Sequence, residues 1–148
     1  MTYLLDTCIL SKLRRIAKEK DQKLASWIKA HSDQSYHISV LTIGEIQSGI
    51  SNLNTHNPEE QNKRMILEKW LQDTVVPWFH TRILVIDTEV ILEWGKLIGV
   101  ARQKGVAIPA IDGLIAATAL VHNLTIVTEN TRDFVNTGVK LLNPYHMS

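Results

Sequence analysis

The sequence predicts an α/β domain built on a mostly parallel sheet. Short apolar runs alternate with longer segments whose apolar residues repeat at helical spacing, which is the pattern of strand–helix–strand units. Four acidic residues that are far apart in sequence also stand near the ends of apolar runs or at helix starts: Asp6, Glu45, Asp112 and Asp133. A chain of 148 residues is long enough to bury a substantial core, and we assign residues 1–148 to a single domain.

In the first half of the chain, two short apolar runs are predicted to be buried strands. The predicted elements are, in order, a strand at 2–6, a helix at Ile9–Ala17, a helix capped by Asp21 and ending near Ala30, a strand at Tyr36–Val40 and a helix that Thr42 caps. Thr42 with Glu45 three residues later matches a capping box. Glu45 therefore has a structural interpretation beside a functional one, and the sequence leaves both open.

In the second half, a polar and turn-forming segment at Asn52–Pro58 precedes a further series of helices and strands. The predicted elements are a helix at Glu59–Thr74 that Pro77 breaks or kinks, a strand at Ile83–Ile86, a helix capped by Asp87 or Thr88 and ended by Gly105, an apolar helix at Gly113–Val121 that begins with Pro109 and Asp112 and ends at Asn123, a strand at Leu124–Thr128 and a short edge strand at Leu141–Leu142.

The four acidic residues are expected to meet at one edge of the sheet, because ligands of parallel sheets bind outside the carboxyl ends of the strands. Asp6 and Asp133 follow strands, whereas Glu45 and Asp112 lie in first helical turns, whose positive ends favour ionised carboxylates. Clustered carboxylates repel one another, and a hard divalent cation with oxygen ligands removes that cost. The pattern therefore predicts a metal-dependent hydrolase acting on a phosphodiester.

The composition is that of a soluble globular protein, with 45% hydrophobic and 21% charged residues and a formal net charge of +1. A basic cluster follows Asp6 closely and is either a solvated helix face or a rim that attracts phosphates: Lys12, Arg14, Arg15, Lys18, Lys20 and Lys23. Cys8 is the only cysteine, so no intrachain disulfide can form, as in a reducing cytoplasm. Neither a signal peptide nor a membrane span is predicted, and we expect a cytoplasmic protein.

The segments around these acidic residues resemble the PIN-domain family, and within it the VapC-type toxins, including the FitB-like branch. The matching segments are Leu5–Thr7, Ser39–Ile46 with Gly49–Ile50, Asp112–Ala119, Leu124–Thr128 leading to Asn130 and Asp133–Phe134, and Gly138–Val139 with Leu142–Pro144. The resemblance covers essentially the whole chain. It implies a three-layer α/β/α sandwich with a central, mostly parallel sheet of four to five strands.

The resemblance also implies a function, namely the toxin of a type II toxin–antitoxin system acting as a Mg²⁺-dependent endoribonuclease, with Mn²⁺ as the alternative metal. Asp6, Glu45, Asp112 and Asp133 match the catalytic acids of the family, and Asp6 and Asp112 would be the metal ligands. The residues expected to contact RNA are Thr7, Lys12, Arg14, Arg15, Thr128 and Asn130. The implied partners are RNA, a cognate VapB-like antitoxin and a second copy of the chain in a homodimer, or a larger toxin–antitoxin assembly.

Two departures from the family pattern keep alternatives open. Cys8 stands where these proteins usually carry Asn, and a thiol is a poorer hydrogen-bonding group than an amide. The fourth acidic position could be filled by Glu129, Asn130 or Asp133, of which we choose Asp133. The alternative function is a catalytically weak or inactive PIN-like module that binds RNA or a protein partner. A phosphoryl-accepting receiver domain is disfavoured, because the chain lacks a paired acid beside the first strand.

Overall fold

A computed structural model describes residues 1–14 and 22–146 of the chain. Its strands are β1 (Tyr3–Leu5), β2 (Tyr36–Ser39), β3 (Ile83–Leu84), β4 (Thr125–Val127) and β5 (Leu141–Leu142). Over the described residues these five strands form one parallel sheet in the order β3-β2-β1-β4-β5. The predicted parallel sheet and its short edge strand are therefore confirmed.

Helices connect successive strands, as parallel pairing requires. They are α1 (Thr7–Leu13), α2 (Gln22–Lys29), α3 (Val40–Ser51), α4 (Pro58–Trp70), α5 (Val76–Phe79), α6 (Thr88–Gln103) and α7 (Ala110–His122), with a π-helical turn at Leu71–Val75 and 3₁₀ turns at Asp33–Ser35, His80–Arg82 and Thr131–Thr137. The predicted end of the first helix and the predicted cap at Asp21 lie outside the described residues. Within the described ranges, no helix is long and apolar enough to cross a membrane.

The core lies on both faces of the sheet, because successive strand residues point to opposite sides. Leu4 and Ile126 pack on one face with α7, whereas their neighbours Leu5 and Val127 pack on the other face with α1, α2 and α3. All four side chains are completely buried. The sheet therefore sits between two helical layers, and the predicted α/β/α sandwich is confirmed.

The predicted cap of α3 is wrong. Helix α3 begins at Val40, and its cap is Ser39, whose side chain accepts from the backbone N–H of Leu41 at 3.0 Å. Glu45 is therefore in the second turn and is not part of a capping box. A π-helical turn at Leu71–Val75 separates α4 from α5, and Pro77 lies in the first turn of α5, where its missing N–H costs least. The kink predicted at Pro77 stays a prediction.

Three predicted caps of α6 and α7 are confirmed. Asp87 caps α6 by accepting from the backbone N–H of Val90 at 2.9 Å. Gly105, with φ of 72°, ends α6, and the bonds of a Schellman motif join Gly105 N to Arg102 O at 3.0 Å and Val106 N to Ala101 O at 2.8 Å. Asn123 ends α7 in the left-handed conformation, with φ of 54°. The chain then enters β4 directly, which fixes the direction of α7 relative to the sheet.

Candidate active site

Asp6 lies at the carboxyl end of the central strand β1. Its backbone N–H donates to Val127 O at 3.1 Å, which continues the pairing of β1 with β4 by one residue. Its side chain caps α1, since Oδ1 accepts from the backbone N–H of Ile9 at 3.0 Å. Asp6 is 7% exposed. The end of the strand and the start of the helix thus hold one carboxylate at the edge of the sheet.

Two further side chains bond to the Asp6 carboxylate. The Cys8 thiol donates to Oδ1 at 2.9 Å, and the Thr128 hydroxyl donates to Oδ2 while it accepts from the backbone N–H of Asn130 at 2.9 Å. A carboxylate oxygen accepts about two hydrogen bonds. Since Ile9 and Cys8 occupy both acceptor positions of Oδ1, Oδ2 is the atom that retains a lone pair for a cation.

Cys8 acts here as a neutral donor. Burial, the hydrogen bond to Asp6 and the charge of Asp6 together raise the pKa of the Cys8 thiol from its ordinary 9.0 to about 11. The thiol therefore keeps its proton at neutral pH, which makes it a poor nucleophile. In place of the Asn amide that resembling proteins carry, Cys8 supplies a hydrogen bond to Asp6, and the Asn130 side-chain nitrogen lies 3.9 Å from its sulfur.

Glu45 is hydrogen-bonded to Thr7, the residue that follows Asp6. The Thr7 hydroxyl, in the first turn of α1, donates to Glu45 Oε1 at 2.7 Å. The same hydroxyl is 3.3 Å from Thr42 Oγ1 on α3. Because Thr7 directly follows Asp6, this bond joins α3 to the end of β1. The Glu45 carboxylate is exposed, so water and ligands can reach it.

The charges of the other three predicted acids act on Asp112, which lies half-buried in the first turn of α7. Burial raises the pKa of the Asp112 carboxyl, and the negative charges of Asp133, Glu45 and Asp6 raise it further, in that order. The expected favourable effect of the helix dipole on ionised Asp112 stays a prediction, and the net direction of the pKa shift is upward. The four predicted acids are therefore gathered at one edge.

Among the three candidates for the fourth position, the geometry favours Asp133. Asp133 lies in the first turn of the 3₁₀ helix after β4, and its charge has the largest Coulombic effect on Asp112. Glu129 instead forms an ion pair with Lys12, whose ammonium also lies 4.8 Å from the centre of the Tyr145 ring. The catalytic role of Asp133 stays a prediction.

The residues predicted to contact RNA divide into three groups. Thr7 and Thr128 donate to Glu45 and Asp6, so the structure gives them a positioning role instead of a free hydroxyl. Lys12 is engaged with Glu129, whereas Arg14 and Asn130 are exposed. Arg15 lies outside the described residues.

Helix α4 contributes side chains to the candidate site that the sequence did not predict. Lys63 and Trp70 line a groove of about 240 Å³ together with Thr7, Arg14 and Glu45. Seven residues are about two helical turns, so the spacing of Lys63 and Trp70 does place them on one face. That spacing carries no information on which face turns towards the acidic edge, because tertiary packing against α3 decides it.

The donor set suits a hard cation such as Mg²⁺. Every acidic group at this edge offers carboxylate oxygens, which such ions prefer. Within the described residues, no group of three or more His, Cys, Asp or Glu side chains is arranged to enclose an ion. Mg²⁺ needs no such enclosure, because it usually keeps several waters and binds through one or two carboxylates. Asp6, through Oδ2, and Asp112 would hold it.

Comparison with known proteins gives consistent matches over nearly the whole chain. The family model of the PIN domain matches residues 3–140. The chain is 30% identical over 143 residues to Toxin FitB of Neisseria gonorrhoeae, which covers 97% of this chain and 98% of that protein. It is 28% identical over 141 residues to VapC ribonuclease Y4jK of Sinorhizobium fredii, covering 95% and 96% of the two chains. A chain of the crystal structure of FitAcB from Neisseria gonorrhoeae superposes with a TM-score of 0.85 at 29% identity, over 99% of this chain and 100% of that chain.

Proposed function

Since the chain belongs to the PIN domain family, we propose that it is a Mg²⁺-dependent endoribonuclease and the toxin of a type II toxin–antitoxin pair. The observation that carries the proposal is the set of four acids from separate segments, three of which raise the pKa of Asp112. Such repulsion is retained at a cost to the folded state, and a cation relieves it. Relatives named as a toxin and as a ribonuclease support both parts of the proposal.

The mechanism assigns a separate task to each group of this edge. Asp6 and Asp112 would hold the cation, and Cys8 and Thr128 fix the orientation of the Asp6 carboxylate. Mg²⁺ held there would supply an activated water and a positive charge opposite the phosphate. Glu45, held by the Thr7 hydroxyl, orients the attacking water and accepts its proton, and Asp133 is the second candidate for this task.

The proposed partners follow from the toxin assignment. They are an RNA substrate, a small VapB-like antitoxin that covers the acidic edge, and a second copy of the chain in a homodimer or in a larger toxin–antitoxin assembly. The proposed location is the cytoplasm, where RNA and the antitoxin are synthesised. Expression in a bacterial host should therefore arrest growth, and Asp6→Asn or co-expression of the antitoxin should relieve the arrest.

The enzymatic part is tested with purified protein and single-stranded RNA in Mg²⁺, in Mn²⁺ and in EDTA. Cleavage is expected with either metal, and neither EDTA samples nor Asp6→Asn should cleave. Asp73→Asn is the matched control, since Asp73 is an exposed carboxylate that does not act on Asp112. Cleavage by Asp6→Asn at the wild-type rate would remove the acidic edge from the mechanism.

The rival function, a PIN-like module that binds RNA or protein without cleavage, rests on the replacement of Asn by Cys8. The thiol nevertheless donates to Asp6 at 2.9 Å, so the hydrogen bond on which this objection depends is present. RNA binding without turnover in either metal would favour the rival.

A further inference from the structure

We propose that the groove beside Glu45 is a subsite for one unpaired nucleotide of RNA, in which Arg14 and Lys63 bind its backbone phosphate. The groove lies between α1, α3 and α4 and has a volume of about 240 Å³. The inference rests on the proposed ribonuclease function and extends it, because it assigns a place to the nucleotide next to the scissile phosphate.

The groove is continuous with the acidic edge. Thr7 and Glu45 line it, and Thr7 directly follows Asp6 in the chain. The 2.7 Å bond between the Thr7 hydroxyl and Glu45 Oε1 forms the boundary between the two regions. An RNA strand whose phosphate lies at Asp6 therefore reaches the groove with its next nucleotide.

Two different helices each supply a cation to the groove lining. Arg14 lies at the end of α1 and Lys63 lies on α4, and both side chains reach the groove lining. In the part of the chain that the structure describes, neither forms an ion pair. No acid of α4 lines the groove, and Glu68 of that helix is bonded to Arg64 at 3.0 Å. Two cations in one groove lining, without an ion pair among the described residues, match the charge of a phosphate.

The remaining lining suits an unpaired base. Ile46, Ile50 and Leu67 are apolar, and Trp70 adds an aromatic surface. A side chain at Gly49 would meet nothing within 4 Å, so the groove is open above this residue. Unpaired bases contact aromatic and apolar side chains, whereas a duplex keeps its bases stacked inside. The lining therefore favours single-stranded RNA.

The test is the salt dependence of RNA binding, measured on the Asp6→Asn protein in EDTA so that no cleavage occurs. For single strands, the slope of log K against log salt changes by about 0.7 for each phosphate contact. Because both cations contact one phosphate, we expect the double variant to reduce the slope by about 0.7, and Arg14→Gln and Lys63→Gln each to reduce it by part of that amount. Lys69→Gln is the control, because Lys69 is an exposed lysine of the same helix and is not part of the groove lining.

Each outcome separates the subsite from the proposed catalysis. If the wild-type protein cleaves RNA but the Arg14→Gln and Lys63→Gln slopes equal that of Lys69→Gln, the subsite is wrong and the ribonuclease function stands. If the slopes change while the wild-type protein never cleaves, the subsite stands and the catalytic proposal falls. An unchanged RNA slope combined with weaker binding of an acidic peptide would also overturn the subsite, since the groove would then serve a protein partner.

Discussion

Replacement of Thr128 by Val tests whether the Asp6 carboxylate depends on a buried hydroxyl. Thr128 is completely buried, donates to Asp6 Oδ2 and accepts from the backbone N–H of Asn130 at 2.9 Å. Val has nearly the same shape as Thr, so Thr128→Val removes both bonds without opening a cavity. Thr128→Ser is the control, because it keeps the hydroxyl and loses only one methyl group.

The expected loss of stability follows from these two bonds. A hydrogen bond to a charged group contributes about 1.5–3 kcal/mol, and a neutral bond contributes about 1 kcal/mol. Water can replace Thr128 at the N–H of Asn130, because Asn130 is exposed. We therefore expect Thr128→Val to lower the free energy of unfolding by about 2–4 kcal/mol, and Thr128→Ser by about 1 kcal/mol for the lost methyl.

Urea denaturation at pH 7 in EDTA measures both variants without a contribution from bound metal. The reasoning is refuted if Thr128→Val is as stable as Thr128→Ser, since the hydroxyl would then contribute nothing to the Asp6 carboxylate. Mn²⁺ affinity provides an independent measurement. Loss of a hydrogen-bond partner of a metal ligand typically weakens metal binding about 10- to 100-fold, and Thr128→Ser should retain the affinity.

Three further predictions concern a charge, a thiol and a buried guanidinium. Because the pKa of Asp112 is raised above its ordinary value of 3.8, the contribution of the Asp112 carboxyl to stability is complete below pH 3.8 and is lost as pH rises through the folded-state pKa. Metal-free Asp112→Asn should therefore melt at or above the wild-type temperature at pH 7, with no such advantage below pH 3.8. A large drop in melting temperature at pH 7 would identify Asp112 as a structural cap. The pKa of Cys8 is raised from 9.0 to about 11, so the rate of iodoacetamide alkylation at pH 8 should be about 100-fold lower in the native than in the urea-unfolded protein. Mass spectrometry measures both rates, and equal rates would contradict a buried thiol bonded to Asp6. Arg82 donates to Asp33 O, Tyr36 O and Trp78 O at 2.5–2.6 Å. Arg82→Ala should therefore lower the free energy of unfolding, measured by urea denaturation, by about 3 kcal/mol or more. A loss below about 1 kcal/mol, the level of an ordinary surface change, would contradict a stabilising role of these three bonds.

Much of the fold was predictable because its signals are local. The apolar runs that became β1, β2 and β4 end within one or two residues of their predicted limits, and the alternation with helices predicts parallel pairing. Asp87 and Gly105 were correctly predicted as caps, since a cap bonds to backbone within a few residues. The capping-box prediction failed because Ser39 and Thr42 are both acceptable caps, and the burial of Thr42 decided the choice.

The gathering of the four acids was predictable from strand ends and helix starts, but their hydrogen-bond and ion-pair partners were not. Thr128 bonds to Asp6 across 122 positions of sequence, Glu129 pairs with Lys12 across 117, and Thr7 bonds to Glu45 across 38. Such pairs depend on strand order and on the rotation of helices about their axes. Neither appears in a local pattern, and the same reason hid the contribution of Lys63 to the groove.

The central claim is that the acidic edge binds the metal that cleaves RNA. A Mn²⁺ titration tests it most directly, with bound metal followed by electron paramagnetic resonance and RNA cleavage measured in the same samples. Both signals should saturate together, Asp6→Asn should lose both, and Asp73→Asn should keep both. Undiminished cleavage in EDTA, or full cleavage by Asp6→Asn after its Mn²⁺ binding is lost, would contradict it.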